Sequence, residues 1–193
     1  MSSKSPEAEK LDPRVKRTRQ LILESFKSLL AQTNFEAISV QNVAEKAQVN
    51  RATFYAHFAD KYALLDYFIT QGLMQEISRR TLDACHYTPE NLRMLIVTVC
   101  EFLDAFHGGN CVQPHAQFEA LIEGQIKKQV FELLVVWLKK AEAKTSIELP
   151  ATVATWAIYG LASHYSHIKK RPSLEKFLDQ ALPLVAVNLE QFA

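Results

Sequence analysis

The chain has 193 residues, a formal net charge of +1 and 48% hydrophobic residues, and a chain of this length and composition can bury a sizeable core. Its five glycines begin only at Gly72, so their spacing allows no Gly-rich phosphate loop or dinucleotide-binding fingerprint. No segment alternates β-branched residues between the turns that hairpins prefer. Composition therefore excludes the common nucleotide-binding loops and predicts an all-α protein.

The charge is unevenly distributed along the chain. Residues 1–61 hold ten Lys and Arg against seven Asp and Glu, whereas residues 62–193 hold twelve against fourteen. The basic residues of the first part cluster between Lys10 and Arg19. Near-neutrality of the whole chain is thus the sum of a basic segment and a mildly acidic remainder, and it does not argue against a nucleic-acid partner.

Cysteine spacing and hydropathy indicate the cellular compartment of the protein. The three cysteines form no CxxC or Cys/His zinc spacing, and residues 1–10 lack the apolar run of a signal peptide. The longest uncharged run, residues 149–168, contains Pro150, His164 and several hydroxyl side chains, so we interpret it as a buried helix rather than a membrane span. We therefore expect a cytoplasmic protein with no membrane partner.

The chain opens with a polar tail, residues 1–12, which is too polar to fold by itself. Asp12 followed by Pro13 is a helix-start signal, because an Asp accepts hydrogen bonds at an N-cap and proline fits the first helical position. The apolar spacing that follows predicts a first helix as far as about Thr33.

Two short helices are predicted next, within a predicted N-terminal domain that spans residues 13–60. Ser39 and Asn50 are the predicted N-caps, and only Gln48 and Val49 remain between the helices to turn the chain. Two helices of about two turns joined by a turn of three or four residues form a helix-turn-helix, whose second helix enters the DNA major groove.

Residues 61–193 are predicted to form a larger, second helical domain. Apolar periodicity and start signals mark each helix. The predicted helices cover about 60–83, 88–107 and 126–138, followed by one that Pro150 opens and a last one that Ser173 caps and in which Pro183 predicts a kink.

Residues 39–65 read SVQNVAEKAQVNRATFYAHFADKYALL. This segment resembles the DNA-binding module of TetR/AcrR-type transcriptional regulators, and the match extends over about fifty residues from Arg19 to Leu65. The chain departs from the family pattern at Gln48, where glycine is usual, and at Asn50, where serine is usual. Asn50 caps as well as serine does, whereas Gln48 must hold a turn that glycine accepts at lower cost.

The chemistry of the second short helix suggests roles for its residues. Arg51 can pair with guanine, Thr53 is short and polar, and the Ala52 methyl can touch thymine. Tyr55, His57 and Lys61 have the reach to hold phosphates, aided by the N–H groups in the first turn of the next helix. The resemblance adds Ser39 as a phosphate contact, Gln41 as a base reader, and Arg17 and Arg19 beside the backbone or in a minor groove. The candidate DNA-binding residues are Arg17, Arg19, Ser39, Gln41, Asn50, Arg51, Ala52, Thr53, Tyr55, His57 and Lys61.

The second half suggests a dimer interface, since its last two helices carry a small-residue stripe and an apolar seam that would form a four-helix bundle with a second copy. Packing inside one chain remains the alternative. The interface candidates are Ala154, Ala157, Leu161, Leu178, Leu182, Val185 and Leu189. The resemblance also implies an effector pocket, with Phe102, Phe106, Phe118, Trp137 and Tyr165 as candidate lining residues that ordinary core packing also explains.

No cofactor, metal site or catalytic set is predicted. The candidate metal ligands near His107, Cys111 and His115 are separated by glycines and a proline, so they do not share a helix face. We therefore predict a non-enzyme, namely a homodimeric repressor that binds palindromic double-stranded DNA and is released by an unknown small-molecule effector. A helix-turn-helix-derived coactivator or adaptor, and a helical small-molecule-binding protein without a DNA role, remain as alternatives.

Overall fold

The computed structural model describes residues 12–80, 86–107, 116–140 and 146–192, and within these ranges it contains helices and no strand, which confirms the all-α prediction. The chain divides into two compact units, one ending at Leu64 and one beginning at Leu65. The α-helices are α1 (Pro13–Leu30), α2 (Val40–Lys46), α3 (Arg51–His57), α4 (Lys61–Arg80), α5 (Pro89–His107), α6 (Ala116–Lys139), α7 (Glu148–His167) and α8 (Leu174–Ala186), with 3₁₀ turns at Phe35–Ala37 and Glu190–Phe192.

Helix α1 begins as predicted, because the Asp12 side chain accepts a hydrogen bond from the Arg14 N–H at 2.8 Å. It ends at Leu30, three residues before the predicted Thr33. The helix ends there because the backbone tightens into a 3₁₀-type turn, in which the N–H groups of Gln32 and Thr33 both donate to the carbonyl of Leu29.

The core of the first unit is built from the inner faces of its helices. Phe26 and Phe54 are fully buried, and the ring of Phe26 meets that of Phe35 edge-on with 6.2 Å between centroids. The other fully or almost fully buried apolar residues of this unit include Ile22, Ile38, Val43, Ala44 and Leu64. In this core α2 packs against α1, and α3 packs against α2.

In the second unit, α7 packs against α5 and α6, and α8 packs against α5 and α7. The sequence places the start of α7 at Pro150, but the helix begins two residues earlier, at Glu148. Ser173 caps α8 as predicted, accepting a hydrogen bond from the Lys176 N–H at 3.4 Å. Pro183 lies inside α8.

The apolar seam of α8 faces the interior of its own chain. Leu178, Val185 and Leu189 are 2% exposed or less, and Ala154 of α7 is fully buried. Their assignment to a dimer interface is therefore corrected, because a side chain already covered within one chain offers no surface to a second copy. Ala157, Leu161 and Leu182 are half-buried at the edges of the same core.

No helix within the described ranges combines the length and the apolar character needed to cross a membrane.

Candidate nucleic-acid interface

Side-chain caps begin both short helices. The Ser39 hydroxyl accepts from the Asn42 N–H at 3.1 Å while the Asn42 side chain accepts from the Ser39 N–H at 2.9 Å, which is a reciprocal capping box. The Asn50 side chain accepts from the Thr53 N–H at 2.7 Å. Both predicted caps are confirmed, and they fix where α2 and α3 begin.

The turn between α2 and α3 passes through Gln48, whose φ of 54° lies in the left-handed region. The next N–H, of Val49, donates to the carbonyl of Ala44 at 2.9 Å, so the turn closes tightly behind α2. The sequence prediction that this glutamine adopts a conformation better suited to glycine is confirmed. A non-glycine residue in this region costs roughly 1–2 kcal/mol.

The exposed face of helix α3 carries small side chains. Its inner residue Phe54 is fully buried, and Phe58 just after it is 5% exposed. Ala52 and Ala56 are exposed, as predicted from the helical period, and Thr53 is half-buried on the flank. The small methyl side chains allow this helix to approach a surface of base edges closely.

Arg51 and Tyr55 lie one turn apart on this outer face, and both are exposed. The Arg51 guanidinium lies 3.4 Å from the Tyr55 hydroxyl and 5.9 Å from the ring centroid. This is a weak, solvent-exposed contact, so it leaves both side chains accessible to a partner.

The exposed side of α2 carries Gln41 and Ser39. The Gln41 amide donates to Glu45 at 2.5 Å, and the Ser39 hydroxyl donates to the Asn42 side chain at 2.6 Å. Both contacts join exposed side chains on the same element. Ser39 and Gln41 therefore stand on one short helix, next to α3.

His57 ends α3 with a half-buried ring. Its Nδ1 atom is buried and has no hydrogen-bond partner among the described residues. Burial lowers the pKa of His57, and the nearby positive charge of Arg19 lowers it further. Arg19 itself lies over the Phe58 ring at 5.9 Å, whereas Arg17 is exposed on α1.

Lys61 is placed differently from its predicted role. Its ammonium group donates to the backbone carbonyls of Phe35, Glu36 and Ile38 at 3.1, 3.0 and 3.0 Å. An ammonium has three N–H donors, so none is left for a phosphate. The expected phosphate contact of Lys61 is therefore corrected to a contact with the backbone.

The N-terminus of α4 is likewise occupied. The N–H groups of Tyr62 and Ala63 both donate to the Asp60 carboxylate at 2.8 Å. These are the groups that the sequence interpretation assigned to an anion, and a carboxylate in their place repels phosphate. The first turn of α4 is thus closed by its own chain.

Part of the chain is similar in sequence to known regulatory proteins. Residues 22–68 match the family described as bacterial regulatory proteins, tetR family. The matched segment contains α2, α3 and the start of α4, so this part of the chain carries the resemblance. An uncharacterized HTH-type transcriptional regulator of Bacillus subtilis, YxbF, is 35% identical over 73 residues, which cover 37% of this chain and about a fifth (19%) of that protein.

Solved structures extend the likeness to the whole fold. A TetR-family regulator from Streptomyces coelicolor aligns over 93% of this chain and 98% of its own, with a TM-score of 0.66 and 15% identity. The regulator FadR from Bacillus subtilis, solved with stearoyl-CoA, aligns over 88% and 98% with a TM-score of 0.55 and 15% identity. The helical fold of this chain is therefore similar to theirs.

The predicted effector-pocket residues lie mainly in the core. Trp137 is fully buried and Phe118 is 7% exposed, while Phe102 is half-buried. The Tyr165 hydroxyl donates to the carbonyl of Pro172 at 3.1 Å, so this side chain joins α7 to the segment before α8. The side chain of Phe106 lies outside the described residues.

An exposed apolar face on α7 was not identified from the sequence. Leu149, Val153 and Trp156 are 72%, 47% and 59% exposed, and they follow one another at spacings of four and three residues. Lys127 lies 3.4 Å from the Trp156 ring centroid, which fixes the ring by a cation–π contact. Leu184 and Val187 near the end of α8 are exposed as well.

The side chains of the suggested metal ligands His107, Cys111 and His115 lie outside the described residues. Within the described part of the chain, no group of three His, Cys, Asp or Glu side chains could hold a metal ion.

Proposed function

We propose that this chain is a TetR-type transcriptional regulator that binds operator DNA with α2 and α3. The observation that carries the proposal is the outer face of α3, where Arg51, Ala52 and Ala56 are exposed while Phe54 is fully buried. A capped helix with small outward side chains and an arginine at its start can lie in a major groove and reach base edges.

The contacts divide into base reading and phosphate binding. Arg51 pairs with a guanine, and Thr53 and Ala52 contact neighbouring base edges. Gln41, at the start of α2, contacts a further base edge. Phosphates are held from the sides of this surface. The proposed phosphate or minor-groove contacts are Arg17, Arg19, Ser39, Tyr55 and His57, whereas Asn50 acts as the cap of α3.

The proposed regulator is a homodimer that uses the exposed faces of α7 and α8. The exposed apolar face of α7, formed by Leu149, Val153 and Trp156, continues along the helix towards Gly160. Gly160 is itself exposed, and a Cβ atom added to it would have no neighbouring atom within 4 Å. Glycine inside a helix costs about 1 kcal/mol relative to alanine, and packing within the chain gives no reason for it here. Close approach of a helix from a second copy supplies that reason, since only small residues allow helix backbones to come near each other.

Two-fold symmetry of such a dimer implies a palindromic operator with half-sites about 34 Å apart. Repression and its release follow from a population shift. An effector bound in the second unit favours a conformation whose two α3 helices no longer match successive major grooves. FadR of Bacillus subtilis was solved with stearoyl-CoA, so fatty acyl-CoA thioesters are the first effector probes to test.

Selection of bound sequences from random double-stranded DNA tests this proposal. Recovery of an inverted repeat supports a dimeric, sequence-specific regulator. Binding no stronger than to random DNA contradicts it and favours either alternative, the coactivator or adaptor and the ligand-binding protein without a DNA role. Displacement of the selected DNA by an added acyl-CoA, measured by fluorescence anisotropy, tests the release step separately.

A further inference from the structure

The Lys61 side chain makes several hydrogen bonds to the backbone of the first unit. Its ammonium reaches three carbonyl oxygens, of Phe35, Glu36 and Ile38, at 3.0–3.1 Å. It also lies 4.6 Å from the centroid of the Phe35 ring and 5.7 Å from that of Tyr62. A charged donor shared among three carbonyls and two ring faces is held in one position.

The three carbonyls belong to the segment that leads into α2. Phe35 and Glu36 lie in the 3₁₀ turn, and Ile38, which is 1% exposed, directly precedes the N-cap Ser39. The position of Ile38 therefore sets where Ser39 and the first turn of α2 stand. Lys61, at the start of α4, joins that segment to a second element of the same unit.

We propose that Lys61 is a positioning residue for DNA binding: it holds residues 35–38, and with them the start of α2, and it touches no phosphate. The proposal rests on the proposed DNA-binding function, in which Ser39 and Gln41 contact the operator. The Lys61 ammonium donates its hydrogen bonds to backbone carbonyls and not to DNA. Its contribution to affinity is therefore indirect.

Salt dependence separates the two roles. Each phosphate contact contributes about 0.9 to the slope of log affinity against log salt concentration. We expect Lys61→Met to weaken binding to the selected operator at least about tenfold, since three hydrogen bonds to a charged group are lost, with the slope of the parent. Arg17→Ala, at a proposed phosphate contact, is the reference variant with a lower slope. A slope reduced by about 0.9 in Lys61→Met would overturn the proposal.

The conservative variant Lys61→Arg gives a second test. A planar guanidinium binds phosphates at least as well as an ammonium, but its donors diverge in a plane and do not converge on three carbonyls. We therefore expect Lys61→Arg to bind the operator more weakly than the parent, while Lys27→Met, which removes an exposed lysine charge from α1, stays within about twofold. Full parental affinity in Lys61→Arg contradicts a positioning role.

Two measurements without DNA keep the inference separate from the proposed function. The Lys61 ammonium protons of the parent chain should exchange slowly with solvent in ¹H–¹⁵N NMR spectra, unlike those of Lys27. The amide protons of Ala37 and Ile38 should exchange faster in the Lys61→Arg variant than in the parent. Rapid exchange of the Lys61 ammonium in the parent refutes the contacts themselves, whereas absence of any selected operator refutes only DNA binding.

Discussion

At the scale of single residues, the chemistry of the interface is concentrated on a few side chains that the fold leaves exposed. Arg51 is free to leave its 3.4 Å contact with Tyr55, whereas Lys61 is held by three carbonyls. Two positive side chains ten residues apart thus have different hydrogen-bond partners, and on this difference we base the different roles proposed for them.

Arg51→Ala should relax specificity at one base position of the operator and lower affinity for the parent sequence by about 5- to 150-fold, because a bidentate pair to guanine contributes about 1–3 kcal/mol. Anisotropy titrations against single-base-pair variants of the selected operator measure this. Arg79→Ala, an equally exposed arginine paired with Glu76 in the second unit, is the matched control. Unchanged discrimination at every position would remove Arg51 from the base-reading set.

Gln48→Gly should raise the free energy of unfolding by about 0.5–1 kcal/mol, because glycine accepts a positive φ while losing more backbone entropy on folding. Urea denaturation monitored by circular dichroism gives the value. Gln20→Gly, within α1 at an exposed site, should lower the free energy of unfolding by about 1 kcal/mol. Destabilisation by both variants would show that Gln48 is not strained.

The lowered pKa of His57 makes stability depend on pH. Because burial and Arg19 disfavour the charged ring in the folded state, the unfolded chain takes up a proton first as the pH falls. Stability is therefore complete above the ordinary histidine pKa of about 6.5 and decreases as the pH falls through and below it. Denaturation midpoints at several pH values should show a smaller decrease in His57→Gln than in the parent. Identical pH profiles for the two proteins would contradict the lowered pKa.

At the scale of elements, α7 and α8 each have two apolar faces. The inner faces, which include Ala154 and Leu178, form the core of one chain, while Leu149, Val153 and Trp156 point outward. Hydrophobic spacing alone does not say which of two faces is covered by the same chain. The packing of α7 and α8 against α5 decided it.

Gly160→Leu should prevent the proposed dimer without unfolding the chain, because its side chain enters open space in the monomer and blocks a partner helix. Light scattering after size exclusion should give monomer mass, with an unchanged or raised melting temperature. Gly124→Leu in α6 is the control, since its Cβ also meets nothing within 4 Å, and it should remain dimeric. A dimeric Gly160→Leu protein would place the interface elsewhere.

At the scale of the whole molecule, the proposed function requires two copies of the first unit on one DNA. A dimer binds both half-sites with an effective local concentration that a monomer lacks. In this proposal the first compact unit of the chain binds DNA, and the second sets the spacing between the two DNA-binding units of the dimer.

The Gly160→Leu protein should accordingly bind a single half-site about as well as the parent does, and should lose most of the parent's preference for the complete inverted repeat. We expect that preference to fall by at least about 100-fold. Parallel titrations with half-site and full-site duplexes measure it. Retained preference in a protein shown to be monomeric would mean that cooperation on DNA does not need the α7–α8 face.

The sequence by itself determined the local features of this protein. The caps at Asp12, Ser39 and Asn50, the strained turn at Gln48 and the helical period that buries Phe54 all depend on residues within one or two turns of each other, so the pattern along the chain specifies them. The family resemblance of residues 39–65 depends on the same short spacings.

Only the tertiary structure decided which partner each side chain takes. The sequence indicated a phosphate contact for Lys61, but its three carbonyl acceptors lie 23 to 26 residues away in the chain. A pattern of residues close to Lys61 in sequence therefore could not identify them. The apolar spacing along α8 is likewise compatible both with packing against a neighbouring chain and with packing in the core of its own chain. Contacts between residues far apart in sequence arise from packing, and packing assigned Lys61 to the backbone and Leu178 to the interior.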